Sequence, residues 1–163
     1  PYYITSPILA ALLESRCFST VTVMVQKEVA QRICAPAGNS DYSAFSVFCR
    51  YYAEPSLCFD VPPGCFIPQP KVTSAVLRLD LRDAPPCEIL DEALFFRVVK
   101  ASFAVRRKTL LNGLSMGFPQ LGKPALAALI AQCGLPENVR GETLDIPAFA
   151  ALANAIQESL HHD

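Results

Sequence analysis

Three groups of residues in this 163-residue sequence have the types and spacing that could do chemistry. The first is Pro1-Tyr2-Tyr3, a pair of aromatics behind a proline. The second is Phe66, in the middle of Val61 to Val76, where Pro62, Pro63, Pro68 and Pro70 fall within nine residues. Each proline fixes its own φ and pushes the residue before it toward extended geometry. The segment therefore reads as a stiff, shaped loop. A large aromatic held on such a loop loses little entropy on binding a planar ligand. The same ring would serve equally as a core plug under a proline-rich crossover. The third group is Arg97, Lys100, Arg106, Arg107 and Lys108, five cations between Phe95 and Leu114 with no acid among them. A row of cations on one helix face suits a phosphate backbone, because each contact releases counterions. It also describes an ordinary solvated face.

The elements that must position these groups follow from the apolar pattern. Thr5-Ser6-Pro7 offers a hydroxyl N-cap with Pro at the first helical position. Ile8, Leu9, Leu12 and Leu13 then recur at helical spacing as far as about Arg16. Thr20 to Val25 is β-branched and apolar and reads as a largely buried strand. Lys27 to Cys34 reads as a short helix with Val29, Ala30 and Ile33 inward. Pro36 to Asp41 is a turn-rich loop, and Ser43 to Tyr51 a further helix. Leu57, Phe59 and Val61 alternate as a strand. Beyond the proline loop, Thr73, Ala75, Leu77, Leu79 and Leu81 alternate as its antiparallel neighbour.

Asp83-Ala84-Pro85-Pro86 reads as a linker, dividing an α/β part (residues 1–82) from a helical part (residues 83–163). Phe95, Val99, Phe103, Leu110 and Leu114 follow one helical stripe, and Arg97, Lys100, Arg107 and Lys108 lie away from it. Arg106 would fall on the apolar side of an unbroken helix. Either it pairs with a buried acid or the helix breaks near Ala104–Arg106. Lys123 to Cys133 is helical with Leu126, Leu129 and Ile130, and Gly134 supplies its stop. Asp145 can cap a last helix with Phe149, Leu152, Ile156 and Leu160 inward.

Composition bounds what these groups can do. Hydrophobic content of 52% and charged content of 18% describe a core-rich globular chain. A net charge of −1 means that any nucleic-acid contact comes from a local basic patch. The seven cysteines contain no C-x-x-C pair, and the two histidines, His161 and His162, are adjacent near the C-terminus. That spacing argues against a zinc site or a disulfide framework. Thiols scattered through apolar runs suit buried residues in a reducing cytoplasm. No apolar run is long enough for a membrane-spanning helix.

Taken together and in order, the motifs resemble one family. Pro1-Tyr2-Tyr3-Ile4-Thr5-Ser6-Pro7 resembles the later part of the Asn-Leu-Pro-Tyr-Tyr-Ile motif of rRNA adenine dimethyltransferases. The Val61–Val76 loop resembles that family's second aromatic motif. Phe103 to Leu114, with Arg-Arg-Lys-Thr-Leu and then Asn112, resembles its helical-domain signature. Arg140-Gly141-Glu142-Thr143-Leu144 resembles a later segment, with Gly in place of Ala or Pro. The resemblance covers essentially the whole chain. It is to the bacterial small-subunit rRNA adenine N6-dimethyltransferases.

The resemblance implies the C-terminal part of a Rossmann-like class I methyltransferase sheet followed by a small all-α, RNA-docking domain. It implies S-adenosylmethionine as methyl donor, no metal, and as substrate two adjacent adenines near the 3′ end of rRNA in the immature small ribosomal subunit. Pro1 and Tyr2 fall in the motif that holds the adenine amine, and Tyr2 would stack on the base with Phe66 beside it. Arg97, Lys100, Arg106, Arg107 and Lys108 would dock RNA.

The family's Asn-Leu and its Gly-rich cofactor loop have no counterpart in these 163 residues. The chain therefore reads as a piece of something longer, inactive by itself and without a cofactor site. Its Val21–Val25 strand would form an open sheet edge prone to self-association. Two other readings stay open: a non-catalytic RNA-binding or ribosome-assembly module of the same fold, and the related large-subunit rRNA methyltransferase.

Overall fold

A computed structural model describes residues 2–105 and 107–162, the side chain of residue 162 excepted. The chain forms two compact units, one of Pro1–Ala35 with Phe45–Ala84, the other of Pro36–Ala44 with Pro85–Asp163. Among the described residues no helix is long and apolar enough to cross a membrane.

The first unit is mixed α/β. A 3-10 turn at Tyr2–Ile4 runs directly into α1 (Thr5–Ser15). The helix thus starts earlier than its hydroxyl and proline residues suggest, and Ile4 stands at the N-cap without a side-chain hydrogen bond. Leu9 and Leu13 are buried, and Arg16 closes the helix in the left-handed region (φ 51°). Next come β1 (Thr20–Gln26), α2 (Lys27–Cys34), α3 (Ala44–Tyr52), β2 (Ala53–Val61) and β3 (Ser74–Leu81).

The strands form an antiparallel sheet in the order β1-β3-β2. The β2–β3 hairpin pairs Ala53 with Leu81 and Val61 with Ser74, as the two alternating runs predict. β1 differs from expectation. Only Val21 and Val25 are buried and Met24 is exposed, because apolar residues occupy both faces of a strand with one face packed. The alternation of β2 also breaks. A bulge between Leu57 and Phe59 sets Leu57 opposite Leu77 but Phe59 opposite Val76, so the two side chains fall on opposite faces. Buried Ala75, Leu77 and Leu79 of β3 mark the packed face, and Ala30 and Ile33 of α2 are buried on the helix that packs on the sheet.

The second unit is helical: α4 (Glu92–Phe103), α5 (Leu110–Gly117), α6 (Gly122–Gln132) and α7 (Ile146–His162). Asp91 caps α4 by accepting from the Leu94 N–H at 2.9 Å. Asp145 caps α7 in the same way through Ala148. The apolar stripe from Phe95 to Leu114 is carried by two helices, the broken-helix alternative that Arg106 left open. Continuing α4 would carry Arg106 into the row of Phe95, Val99 and Phe103; the helix instead stops at Phe103 and restarts at Leu110. α5 then crosses α4 at very close range. A Cβ on Gly113 would lie 2.4 Å from the Ala101 carbonyl oxygen, and one on Gly117 would lie 2.6 Å from the Ala101 Cβ.

The 36–44 segment is built into this unit. The Tyr42 hydroxyl donates to the Leu144 carbonyl at 2.9 Å, its ring meets Phe103 edge-on at 5.7 Å, and the Gly38 N–H donates to Glu142 O at 2.8 Å. Phe95, Leu110, Leu114, Phe118, Leu126, Phe149, Leu152 and Ile156 are all inaccessible at the centre.

The thiols are less buried than their apolar neighbours suggest. Cys49 is buried, whereas Cys17, Cys58 and Cys65 are exposed. Cys58 sits in the β2 bulge, and Cys65 in the proline loop.

Candidate functional site

In the first unit the chemistry-bearing residues gather around the foot of the proline loop. The loop leaves β2 at Val61 and returns at Ser74, the first residue of β3. Three contacts hold its base together: the Val61–Ser74 pairing, the Lys27 N–H donating to Thr73 O at 3.0 Å, and the Lys27–Asp60 ion pair at 2.6 Å. Within it, Pro63–Cys65 forms a 3-10 turn, with the Cys65 N–H donating to Pro62 O and that of Phe66 to Pro63 O. Phe66 follows in extended conformation and is half-buried, and Ile67 beyond it is fully exposed.

Tyr2 reaches the same foot from the other end of the chain. Its hydroxyl is hydrogen-bonded to Ser74 Oγ, and Ser74 is completely buried. Tyr2 also lines a cavity of about 410 Å³ with Thr5, Ile8, Leu9, Val23, Met24 and Val25. Among the described residues Phe66 is not part of that lining; it stands on the loop whose foot Tyr2 reaches through Ser74. Pro1 lies outside the described residues. Ser74 escaped residue-by-residue reading. Its only signal is a small hydroxyl residue where alternating apolar positions resume after the prolines.

In the second unit the four remaining cations do not share a helix, which corrects the single basic face expected from the spacing. Arg97 and Lys100 lie on α4, and Arg107 and Lys108 lie in the connection to α5. All four are exposed. Arg97 is already engaged. Its Nη2 donates to the Gly117 carbonyl at 2.6 Å, and its guanidinium sits 4.3 Å from the centroid of the buried Phe118 ring. Lys100 lies in the last turn of α4, where a cation is favoured by the helix dipole. Among the described residues Lys100, Arg107 and Lys108 form no ion pair. Arg106 lies outside the described residues.

Thr109 starts α5 in extended geometry, its side chain making no capping bond to the backbone. Its Oγ1 instead accepts from Asn112 Nδ2 at 2.9 Å. Gly141 lies against α4: a Cβ there would come 2.5 Å from Ser102 O, which explains glycine at this position.

Comparison with known proteins joins the two regions in one family. The family model described as ribosomal RNA adenine dimethylase matches residues 1–157. The ribosomal RNA small subunit methyltransferase A of Alkaliphilus oremlandii is 47% identical over 161 residues, covering 98% of this chain and 56% of the relative. That of Caldanaerobacter subterraneus is 46% identical over 157 residues, covering 96% and 58%. The chain thus spans just over half the length of these relatives. Among solved structures, a dimethyladenosine transferase from Plasmodium falciparum superposes with a TM-score of 0.80 at 23% identity, over 97% of this chain and 64% of that one. The 23S rRNA methyltransferase ErmE superposes with a TM-score of 0.68 at 23% identity, over 96% and 62%. Both of these are likenesses of fold.

Proposed function

This chain belongs to the ribosomal RNA adenine dimethylase family, and on that premise we propose that it is the base-holding and RNA-docking part of an enzyme that dimethylates the N6 amines of two adjacent adenines near the 3′ end of small-subunit rRNA. The observation that carries this reading is the bond between Tyr2 and buried Ser74 at the foot of the Phe66 loop. In this reading residues 1–82 are the C-terminal part of a Rossmann-like class I methyltransferase sheet, and residues 83–163 dock the immature small subunit in the cytoplasm. The outer edge of β1 adjoins the rest of the enzyme, or a second copy when the chain is alone.

An adenine amine is a weak nucleophile because its lone pair is delocalised into the ring. The base must therefore be unstacked and held rigidly. Tyr2 supplies a face on which the base stacks, a contact contributing about 1–3 kcal/mol. Ser74 removes the ring's freedom by fixing its hydroxyl. Phe66 sits on a loop whose base is tied at Thr73 and Asp60, and serves as the second aromatic. Pro1 belongs to the same base-holding segment. Lys100, Arg107 and Lys108, with Arg106 and the remaining charge of Arg97, contact phosphates. Such contacts fix the register of the RNA without reading its sequence.

The cavity beside Tyr2 does not fit S-adenosylmethionine by itself. A nucleoside cofactor of this kind takes a Gly-rich turn at a helix start and an acid for its ribose hydroxyls. The 410 Å³ cavity offers neither among its described residues, being walled by aliphatic side chains, Thr5 and Tyr2.

A salt series tests the docking part of the proposal. Replacing Arg107 and Lys108 with Gln in the full-length enzyme should weaken binding to small-subunit particles. It should also flatten the dependence of log K on log salt by about 0.7–0.9 per lost contact. An unchanged slope would assign these cations to an ordinary solvated face.

A further inference from the structure

The basic connection between α4 and α5 is joined by a cation from a different helix. Lys123 lies in the first turn of α6, fifteen positions beyond Lys108 in the sequence. Its Nζ donates to Asn112 Oδ1 at 3.3 Å, and Asn112 Nδ2 donates to Thr109 Oγ1 at 2.9 Å. Asn112 thus uses both ends of its amide to tie the Lys123 ammonium to the residue that directly follows Arg107 and Lys108.

The placement works against local stability. A cation in the first turn of a helix opposes the dipole, and the first turn of α6 contains no acid to offset it. Lys123 is exposed and forms no ion pair among the described residues. A polyanion laid across the connection resolves that cost, because it places negative charge beside the ammonium at the helix start.

We propose that Lys123 is a further phosphate-contacting residue of this surface, and that Asn112 is the positioning residue that holds it beside Arg107 and Lys108. The inference rests on the reading of the α4–α5 connection as an RNA-docking segment. It extends that surface onto α6, so that a phosphate backbone runs from Arg107 and Lys108 across Thr109 to Lys123.

The test is binding of the full-length enzyme to a short fluorescent RNA hairpin of mixed sequence, titrated across a salt series. Lys123→Gln should lower the salt slope by about 0.7–0.9, and Lys123→Arg should restore it. Asn112→Ala should weaken binding in the wild-type background and have no added effect on Lys123→Gln, because its contribution passes through that lysine. Arg107→Gln/Lys108→Gln is the comparator. A slope unchanged by Lys123→Gln but lowered by the comparator would overturn this inference and leave the docking reading standing. A slope unchanged by both would overturn the two together. Additive losses from Asn112→Ala and Lys123→Gln would overturn the positioning role.

Discussion

The Tyr2 hydroxyl and the Ser74 hydroxyl are hydrogen-bonded across 72 positions of sequence, joining the turn before α1 to the first residue of β3. Ser74 is wholly buried, so its hydroxyl has Tyr2 in place of water. Losing either partner should cost about 0.5–1.5 kcal/mol. In the full-length enzyme, Tyr2→Phe and Ser74→Ala should each slow single-turnover methylation about two- to tenfold, with little change in RNA affinity. The double variant should be no slower than the worse single one. Additive losses would mean that the bond plays no part in holding the base.

Gly113 should be intolerant of any side chain. A Cβ at this position meets a backbone oxygen, Ala101 O at 2.4 Å, which cannot rotate away. Gly113→Ala should therefore destabilise the helical unit by about 1–3 kcal/mol, the usual range for overpacking. A urea midpoint equal to that of the unaltered chain would show that α5 can slide on α4 without loss.

Burial pushes the Cys49 thiol up to about 12 from an ordinary value of 9.0, with Cys34 as the smaller cause. The folded protein then holds a proton that the unfolded chain releases above pH 9. The contribution of Cys49 to stability is full below pH 9 and is lost as pH rises from 9 toward 12. Within that window stability should fall by up to about 1.4 kcal/mol per pH unit on account of this residue. Cys49→Ala should remove that share of the slope. Cys34, also raised mainly by burial, would keep part of the remainder. Denaturant midpoints measured from pH 8 to pH 10.5 on both proteins decide the matter, and equal slopes would count against it.

The sequence made the hairpin legible because the two alternating runs from Leu57 and Thr73 flank four prolines, and only a loop can hold those. It made α7 legible through Asp145 and the spacing of Phe149, Leu152 and Ile156. The break between α4 and α5 was only half legible. Arg106 signalled a conflict in the helical pattern, but the geometry that resolves it depends on Gly113 and Gly117 meeting Ala101, a tertiary contact with no local periodicity.

The same limit hid Ser74, whose partner is 72 positions away, and Lys123, whose partner lies on another helix. The β2 bulge was hidden because one inserted residue reverses which face Phe59 occupies without changing the composition of the run. Arg97 looked like its neighbouring cations on a wheel. Its engagement with Gly117 and Phe118 appears only once α5 is folded back on α4.

The proposed hold of Tyr2 on an adenine can be measured by mass spectrometry of dimethyladenine at the 3′ end of small-subunit rRNA, after single-turnover reaction with full-length enzyme carrying Tyr2 or Tyr2→Ala. A lost stacking contact of about 1–3 kcal/mol corresponds to a rate lower by about 5- to 150-fold, with particle binding little changed. Equal rates for the two proteins, or a loss confined to particle binding, would contradict the account.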